Sequence, residues 1–375
     1  MRMNVKIRAF AATSAAAIAL VAAPAAQAIP AKFWGVVPQA TPTAEQFQRL
    51  KRGGVDSVRV PIVWSSVQPT AGSQPFWAGT DAVVRGAALT GIEVLPFVYG
   101  APGWVVPQAP VPGTGGTLSA PRNLPVKTGA QRAAWQGFLR LVVARYGPNG
   151  SFWLENPDVP PRPIRVWQVW NEPNFKYFVA RPNPVEYGKL VNISYTALRS
   201  ADPGAKIVLA GLFSEPREAL FKGRPRQAYF GTEFLERMYK STPGVKSKFV
   251  GTALHPYTGS YRELGEDIEA FRAVMKEHGD GSKGLWITEV SWSSQPPAPN
   301  NSFAKGRAGQ AAQLKGAFRL FKSKQAKWRL QRIYWFSIDD QPGSCNFCSG
   351  SGLFAEGFVP KPSWFAYVGF AGGRP

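Results

Sequence analysis

Two glutamates stand out by type and by setting. Glu172 sits in Val-Trp-Gln-Val-Trp-Asn-Glu-Pro-Asn (166–174), and Glu289 in Leu-Trp-Ile-Thr-Glu-Val-Ser-Trp (285–292). Both runs are rich in aromatic and β-branched residues, the composition of a buried strand. Pro173 has no N–H to give a strand ladder, so the first strand is expected to stop there and present Glu172 at its carboxyl end. A carboxyl group walled by tryptophan is poorly solvated, which disfavours its charged form and suits a general acid near neutral pH. The second carboxylate supplies what cleavage of a glycosidic bond needs. One group protonates the leaving oxygen and the other attacks or stabilises the anomeric carbon. Either glutamate alone reads equally well as a salt-bridged structural residue; the pair, in matching contexts, favours chemistry. Carboxyl groups roughly 5–5.5 Å apart would mean a retaining reaction, and roughly 6.5–9.5 Å an inverting one.

The elements that must position this pair follow from hydrophobic periodicity and turn chemistry. Strands are expected at 33–37, 57–64, 92–99, 166–173, 206–212, 249–257, 285–292 and 332–338. Helices are expected at 43–52, 81–90, 129–146, 184–200, 231–240, 266–277, 303–322 and 361–370. Thr43 with Gln46 three residues on reads as a capping box. Eight β–α alternations imply a parallel sheet closed into a (β/α)8 TIM barrel, with its site at the carboxyl ends of the strands. Arg59 stands inside the second strand, where a buried guanidinium demands a carboxylate partner. Residues 101–128 form a long Pro/Gly loop, a length usually functional or mobile. Its Gly113, Gly115 and Gly116 lack the Gly-Lys-Ser/Thr ending of a phosphate loop.

Composition bounds the rest. The chain has 375 residues. Arg2, Lys6 and Arg8, an alanine-rich apolar stretch and Ala26-Gln27-Ala28 read as an export leader. Cleavage is expected after Ala28, leaving residues 29–375 as one barrel domain outside the cytoplasm. The apolar stretch is too short and alanine-rich for a comfortable membrane anchor, and no other segment approaches a spanning length. Net charge is +21, and loss of the three leader cations leaves +18. The cations are spread along the chain without a long basic run, which favours a solvated basic surface over a nucleic-acid site. Attraction to an acidic polysaccharide or cell surface is the sharper form of the same reading. Cys345 and Cys348 form a lone C-x-x-C, too few ligands for structural zinc, and in an exported protein a loop-clamping disulfide is expected. With only His255 and His278 in the chain, a His-rich metal site is excluded by count, and no cofactor or metal is called for.

Taken together, these motifs resemble the retaining glycoside hydrolases of clan A, most nearly cellulase-like family 5 and family 39, which includes β-xylosidases. Asn171-Glu172-Pro173 resembles the clan's acid/base motif after strand four, and Ile287-Thr288-Glu289 its nucleophile motif after strand seven. The resemblance assigns Arg59 as the arginine on the nucleophile and Asn171 as the holder of the sugar 2-hydroxyl. It assigns His255 and Tyr257 to the His-x-Tyr after strand six, whose tyrosine contacts the nucleophile. Trp335 becomes the strand-eight tryptophan that floors the cleaved sugar. The C-x-x-C segment belongs to neither family's motif.

The expected roles are then an ionised Glu289, its pKa lowered by Arg59 and Tyr257, and a protonated Glu172. Trp34, Trp64, Trp104, Trp170, Trp292 and Trp335 fall at strand ends or nearby loops, where each face could stack on sugar or pack in the core, and stacking is expected for Trp335. The resemblance implies a secreted retaining β-glycosidase acting on a β-linked poly- or oligosaccharide. Two alternatives stand beside it: a non-catalytic carbohydrate-binding barrel, and a basic protein that binds anionic polymers. The first leaves Arg59 and Tyr257 as unneeded buried polar groups. The second predicts cations lining the groove, where the sequence places aromatic and acidic residues.

Overall fold

A computed structural model describes residues 29–220, 226–342 and 348–375. The expected export leader, residues 1–28, lies outside the described residues. Eight strands form the barrel: β1 (Trp34–Val37), β2 (Ser57–Val63), β3 (Glu93–Tyr99), β4 (Val166–Val169), β5 (Lys206–Phe213), β6 (Gly251–His255), β7 (Gly284–Val290) and β8 (Leu330–Phe336). Around the closed sheet they neighbour one another in the order β1-β8-β7-β6-β5-β4-β3-β2, and every pairing is parallel. A principal helix follows each strand: α1 (Ala44–Arg52), α2 (Ala78–Thr90), α3 (Gly129–Tyr146), α4 (Pro184–Ala201), α5 (Gly231–Ser241), α6 (Leu264–Glu277), α7 (Gly306–Trp328) and α8 (Pro362–Ala371). This is the (β/α)8 TIM barrel that the alternation predicts. Among the described residues no helix is long and apolar enough to cross a membrane.

Side chains two apart on a strand share a face, and this divides the core in two. Val58, Val60, Ile62 and Val98 point outward and join the helices in one large apolar cluster. Val37, Leu95, Tyr334 and Phe336 point inward and fill the barrel. On β8 the same alternation sends Trp335 outward.

Several boundaries differ from the sequence expectation for identifiable reasons. β4 ends at Val169 rather than at Pro173, because Trp170 takes φ 72° and Glu172 φ 36°. These left-handed values are unfavourable for residues with a side chain and cannot continue a strand. α7 starts at Gly306 because residues 303–305 pair with Ser293 instead of coiling, through Ser293 N to Phe303 O and Lys305 N to Ser293 O. It then runs on to Trp328, since nothing breaks it before Arg329 takes the left-handed cap. Within the 101–128 loop, Ala109–Pro110 and Ser119–Ala120 pair as a short ribbon. Arg122 fastens that ribbon to the loop after β4, donating to the carbonyls of Pro110 and Lys176.

The capping box at Thr43 and Gln46 is present, and a second one, Thr128 with Gln131, opens α3. Thr128→Ala removes the side-chain acceptor of the Gln131 N–H and should cost about 1 kcal/mol. A denaturant titration should show the midpoint falling with its slope unchanged.

Candidate active site

The geometry is built outward from Arg59. It points into the barrel from β2, its side chain fully buried. Its Nε donates to Gln168 Oε1 at 2.7 Å, one terminal nitrogen to Glu289 Oε1 at 2.7 Å, and the other to Asn171 Oδ1 at 2.6 Å. Phe97 lies under the guanidinium, its centroid 4.0 Å away. Gln168 donates its own amide to Leu209 O at 2.8 Å, which fixes its oxygen toward Arg59. One planar donor set thus ties β2, β4 and β7 together.

Glu289, near the carboxyl end of β7, accepts from Arg59 on one oxygen and from the Tyr257 hydroxyl on the other, at 2.8 Å. Glu172 Oε1 shares a hydrogen bond with His255 Nδ1 at 2.7 Å, and His255 Nε2 meets Thr288 Oγ1 at 2.8 Å. An oxygen of Glu172, an oxygen of Glu289 and a ring nitrogen of His255 lie within 4.8 Å of one another. With one oxygen of each within 4.8 Å of the other, the carboxylates are spaced nearer to a retaining pair than to an inverting one.

The break in β4 explains how this assembles. Gln168 points inward in regular alternation; the left-handed Trp170 then flips the register, so that Asn171 also turns toward Arg59. The loop is held by Glu172 N to Gly211 O at 3.1 Å and by Asn174, which bonds the backbone of both Phe213 and Tyr229.

Burial dominates the electrostatics. It raises the Glu172 pKa well above the ordinary carboxylate range, and the neighbouring Glu289 charge raises it further. The Glu289 pKa is also raised, contrary to the lowering expected from sequence, because burial outweighs Arg59 and the Tyr257 hydroxyl. Those two partners still offset part of the shift, so the proton belongs on Glu172. Burial, helped by Arg59, pushes His255 well below its usual value, so it is neutral here. Its 2.7 Å contact with Glu172 is then a hydrogen bond rather than an ion pair, and Glu289 Oε2 lies 3.7 Å from the same nitrogen. The trio's spacing alone would suit a cation, but the Arg59 guanidinium already neutralises Glu289 at 2.7 Å.

Of the residues singled out in the sequence, Glu172, Glu289, Arg59, Asn171, His255 and Tyr257 come together. Trp335 does not. It is fully buried against Trp292 and Phe318, its indole N–H on Ser351 O at 2.9 Å. The ring that reaches the mouth is its neighbour Phe336, half-buried and edge-on to Tyr257. Trp34, Trp64, Trp170 and Trp292 are buried too; only Trp104 of the candidate stacking set is exposed, at 40%. Cys348 is disulfide-bonded, and Cys345 lies outside the described residues. Sequence reasoning passed over Gln168, Phe97, Thr288 and Asn174. The inward period of β3 and β4 pointed to the first two; nothing local pointed to Asn174.

Gly211 is the contact that makes room for His255. A Cβ there would lie 1.9 Å from His255 Nε2 and 2.5 Å from Thr288 Oγ1. Gly211→Ala should displace the imidazole, destabilise the fold by roughly 1–3 kcal/mol as overpacking does, and move the Glu172 pKa. Unchanged stability together with an unchanged pH profile would show that the close packing has no consequence.

A model of the glycosyl hydrolase catalytic core matches residues 147–363, more than half of the chain. A β-xylosidase of Geobacillus stearothermophilus is 25% identical over 223 residues, covering 55% of this chain and 41% of that protein. The chain therefore spans under half of that relative's length. Among solved structures, a family 39 glycoside hydrolase from Bacteroides cellulosilyticus superposes with a TM-score of 0.64 at 18% identity, over 92% of this chain and 64% of that one. A family 39 β-xylosidase from Caulobacter crescentus gives 0.61 at 20% identity, over 91% and 72%. At such identities the structures speak for the fold, and the family model for membership: this chain belongs to the glycosyl hydrolase catalytic core family.

Proposed function

We propose that this protein is an exported retaining β-glycosidase, with Glu172 as acid/base and Glu289 as nucleophile. The observation that carries the reading is the pair of buried carboxylates within 4.8 Å, one bonded to a guanidinium and a phenol, the other to a neutral imidazole. In the first step Glu172 gives its proton to the leaving glycosidic oxygen while a Glu289 oxygen bonds the anomeric carbon. In the second, Glu172 takes a proton from water, and that water displaces Glu289 and releases the sugar. Arg59 and Tyr257 hold Glu289 in line and favour its anion. The Glu289 charge is one of the forces raising the Glu172 pKa. Esterification removes that charge, so the Glu172 pKa falls as the residue turns from acid to base.

Asn171 Oδ1 is committed to Arg59, which leaves its amide nitrogen to donate to a sugar hydroxyl. Phe336, rather than Trp335, is placed to underlie the sugar. β-Xylosides are the first substrates to test, because the matched relative from Geobacillus stearothermophilus is a β-xylosidase.

The test is hydrolysis of a panel of aryl β-glycosides and β-linked polysaccharides, with variants as controls. Glu289→Gln should abolish turnover. Glu172→Gln should slow substrates with poor leaving groups by roughly 100- to 10,000-fold and activated ones far less. The required form of Glu172 is protonated and its pKa is raised, so kcat/KM should hold above the ordinary carboxylate range and fall as pH rises through the raised pKa. Glu172→Gln should lose that alkaline limb. Release that persists in Glu289→Gln would sink the assignment. No release from any substrate by a folded wild type would return the reading of a carbohydrate-binding barrel. Phe336→Ala, at a half-buried ring, should lower kcat/KM at a smaller cost in stability than Trp335→Ala, which should cost about 3–5 kcal/mol. The reverse pattern would restore Trp335 as the floor.

A further inference from the structure

We propose that the outer face of α7 is a docking track for an anionic polysaccharide, running down the barrel wall from the catalytic mouth. The class of polymer rests on the glycoside hydrolase reading above; the character of the surface does not.

From Val290 to Ile338 the chain contains no Asp or Glu. α7 occupies the middle of that stretch and carries Arg307, Lys315, Arg319, Lys322, Lys324 and Lys327. Its inner face, with Leu314, Phe318, Phe321 and Trp328, packs on the barrel. Lys315, Arg319 and Lys322 recur at spacings of four and three, so they share the solvent face. The exposed positions around them are small: Ala308, Ala312, Ser323 and Ala326. Nothing on the helix therefore screens the three cations.

An ordinary solvated helix face mixes signs. α5 does so, pairing Arg237 with Glu233 and Lys240 with Glu236 four residues apart. On α7, among the described residues, Lys327 pairs with Glu269 of α6, a carboxylate that Lys324 also influences. Lys315, Arg319 and Lys322 form no ion pair among the described residues, and their spacing sets like charges side by side, which weakens a helix. α8 packs against α7 and brings no charge from Pro362 to Ala371, while exposing Phe365. The positive field thus continues over two helices without a counter-charge on either outer face.

Such a field selects a polyanion. A bilayer is the poorer fit, because the apolar side of α7 is spent on the barrel and none is left to enter lipid. A glycan fits the layout. Each barrel helix starts at the end where the preceding strand finishes, and β7 carries Glu289, so Arg307 stands at the mouth end of α7. From there to Lys322 the helix descends about 22 Å. The mouth holds a compensated set, Arg59 against Glu289, with Glu172 and His255 neutral. Cleavage would then fall on uncharged sugars while acidic units of the same polymer lie along α7.

The experiment measures binding and turnover separately, on the full chain. Affinity for polygalacturonate is titrated against NaCl for the wild type, for Lys315→Gln/Arg319→Gln/Lys322→Gln, and for a control with the same charge change, Lys189→Gln/Arg199→Gln/Lys206→Gln. The α7 variant should bind about tenfold more weakly at low salt, with the slope of log K against log salt reduced by about 2. The control should stay within a factor of two or so of the wild type, and both variants should hydrolyse a neutral aryl glycoside like the wild type. Equal weakening in both triples would show a net-charge effect and overturn the track. Duplex DNA or phosphatidylserine vesicles bound more tightly than polygalacturonate would overturn the polysaccharide assignment. Failure to cleave any glycoside, with α7-dependent binding intact, would strike the proposed activity and leave the docking surface standing.

Discussion

A guanidinium sealed inside a β-barrel is the constraint on which the site depends. Arg59 has no exposed side-chain surface and contacts Gln168, Asn171, Glu289 and the face of Phe97. A buried charge persists only if its partners are placed to compensate it. Two strands, β4 with its continuation and β7, must therefore deliver acceptors to one plane, and Gln168 must be held by Leu209 O so that its oxygen faces the right way. Both carboxylates inherit their positions from this requirement. Glu289 is bonded to Arg59 directly, and Glu172 follows the Asn171 that Arg59 holds.

The backbone departs from regular structure where this demand is greatest. Trp170 and Glu172, both at positive φ, cost conformational energy that an ordinary strand end would not. In exchange Asn171 turns to the same side as Gln168, and Glu172 comes up beside His255. The packing is correspondingly tight, with Gly211 present because the imidazole occupies the space a Cβ would need. Site and fold are here joined: the contacts that tie β2, β4 and β7 together inside the barrel are those that orient the proposed acid and nucleophile.

Charge is partitioned. Inside the mouth each ion has its partner and the histidine is neutral, so little net field acts on a neutral sugar. On α7, by contrast, cations accumulate without acids. A net charge of +21 says nothing about this division. Spread evenly in sequence, the cations become a directed surface only because one helix takes a long acid-free stretch and turns its apolar side inward.

The sequence by itself determined the alternation of eight strands and helices, and with it the barrel, because hydrophobic period and turn chemistry are local signals. It also determined which polar residues had to be special: Glu172, Glu289, Arg59, Asn171, His255 and Tyr257 lie in apolar strand contexts where an idle polar group would be costly. Clan resemblance ordered them. What it did not determine was direction. Trp335 and Phe336 are adjacent, and which ring faces the barrel interior turns on one residue of strand phase, fixed by pairing with β1 and β7 rather than by composition. The premature end of β4, the bonding of His255 to Glu172 and the staple at Asn174 arise from contacts between segments far apart in the chain. So does the net upward shift of Glu289, since desolvation depends on everything packed around a carboxylate and not on its nearest charge. Those are properties of tertiary packing, and only the assembled barrel decides them.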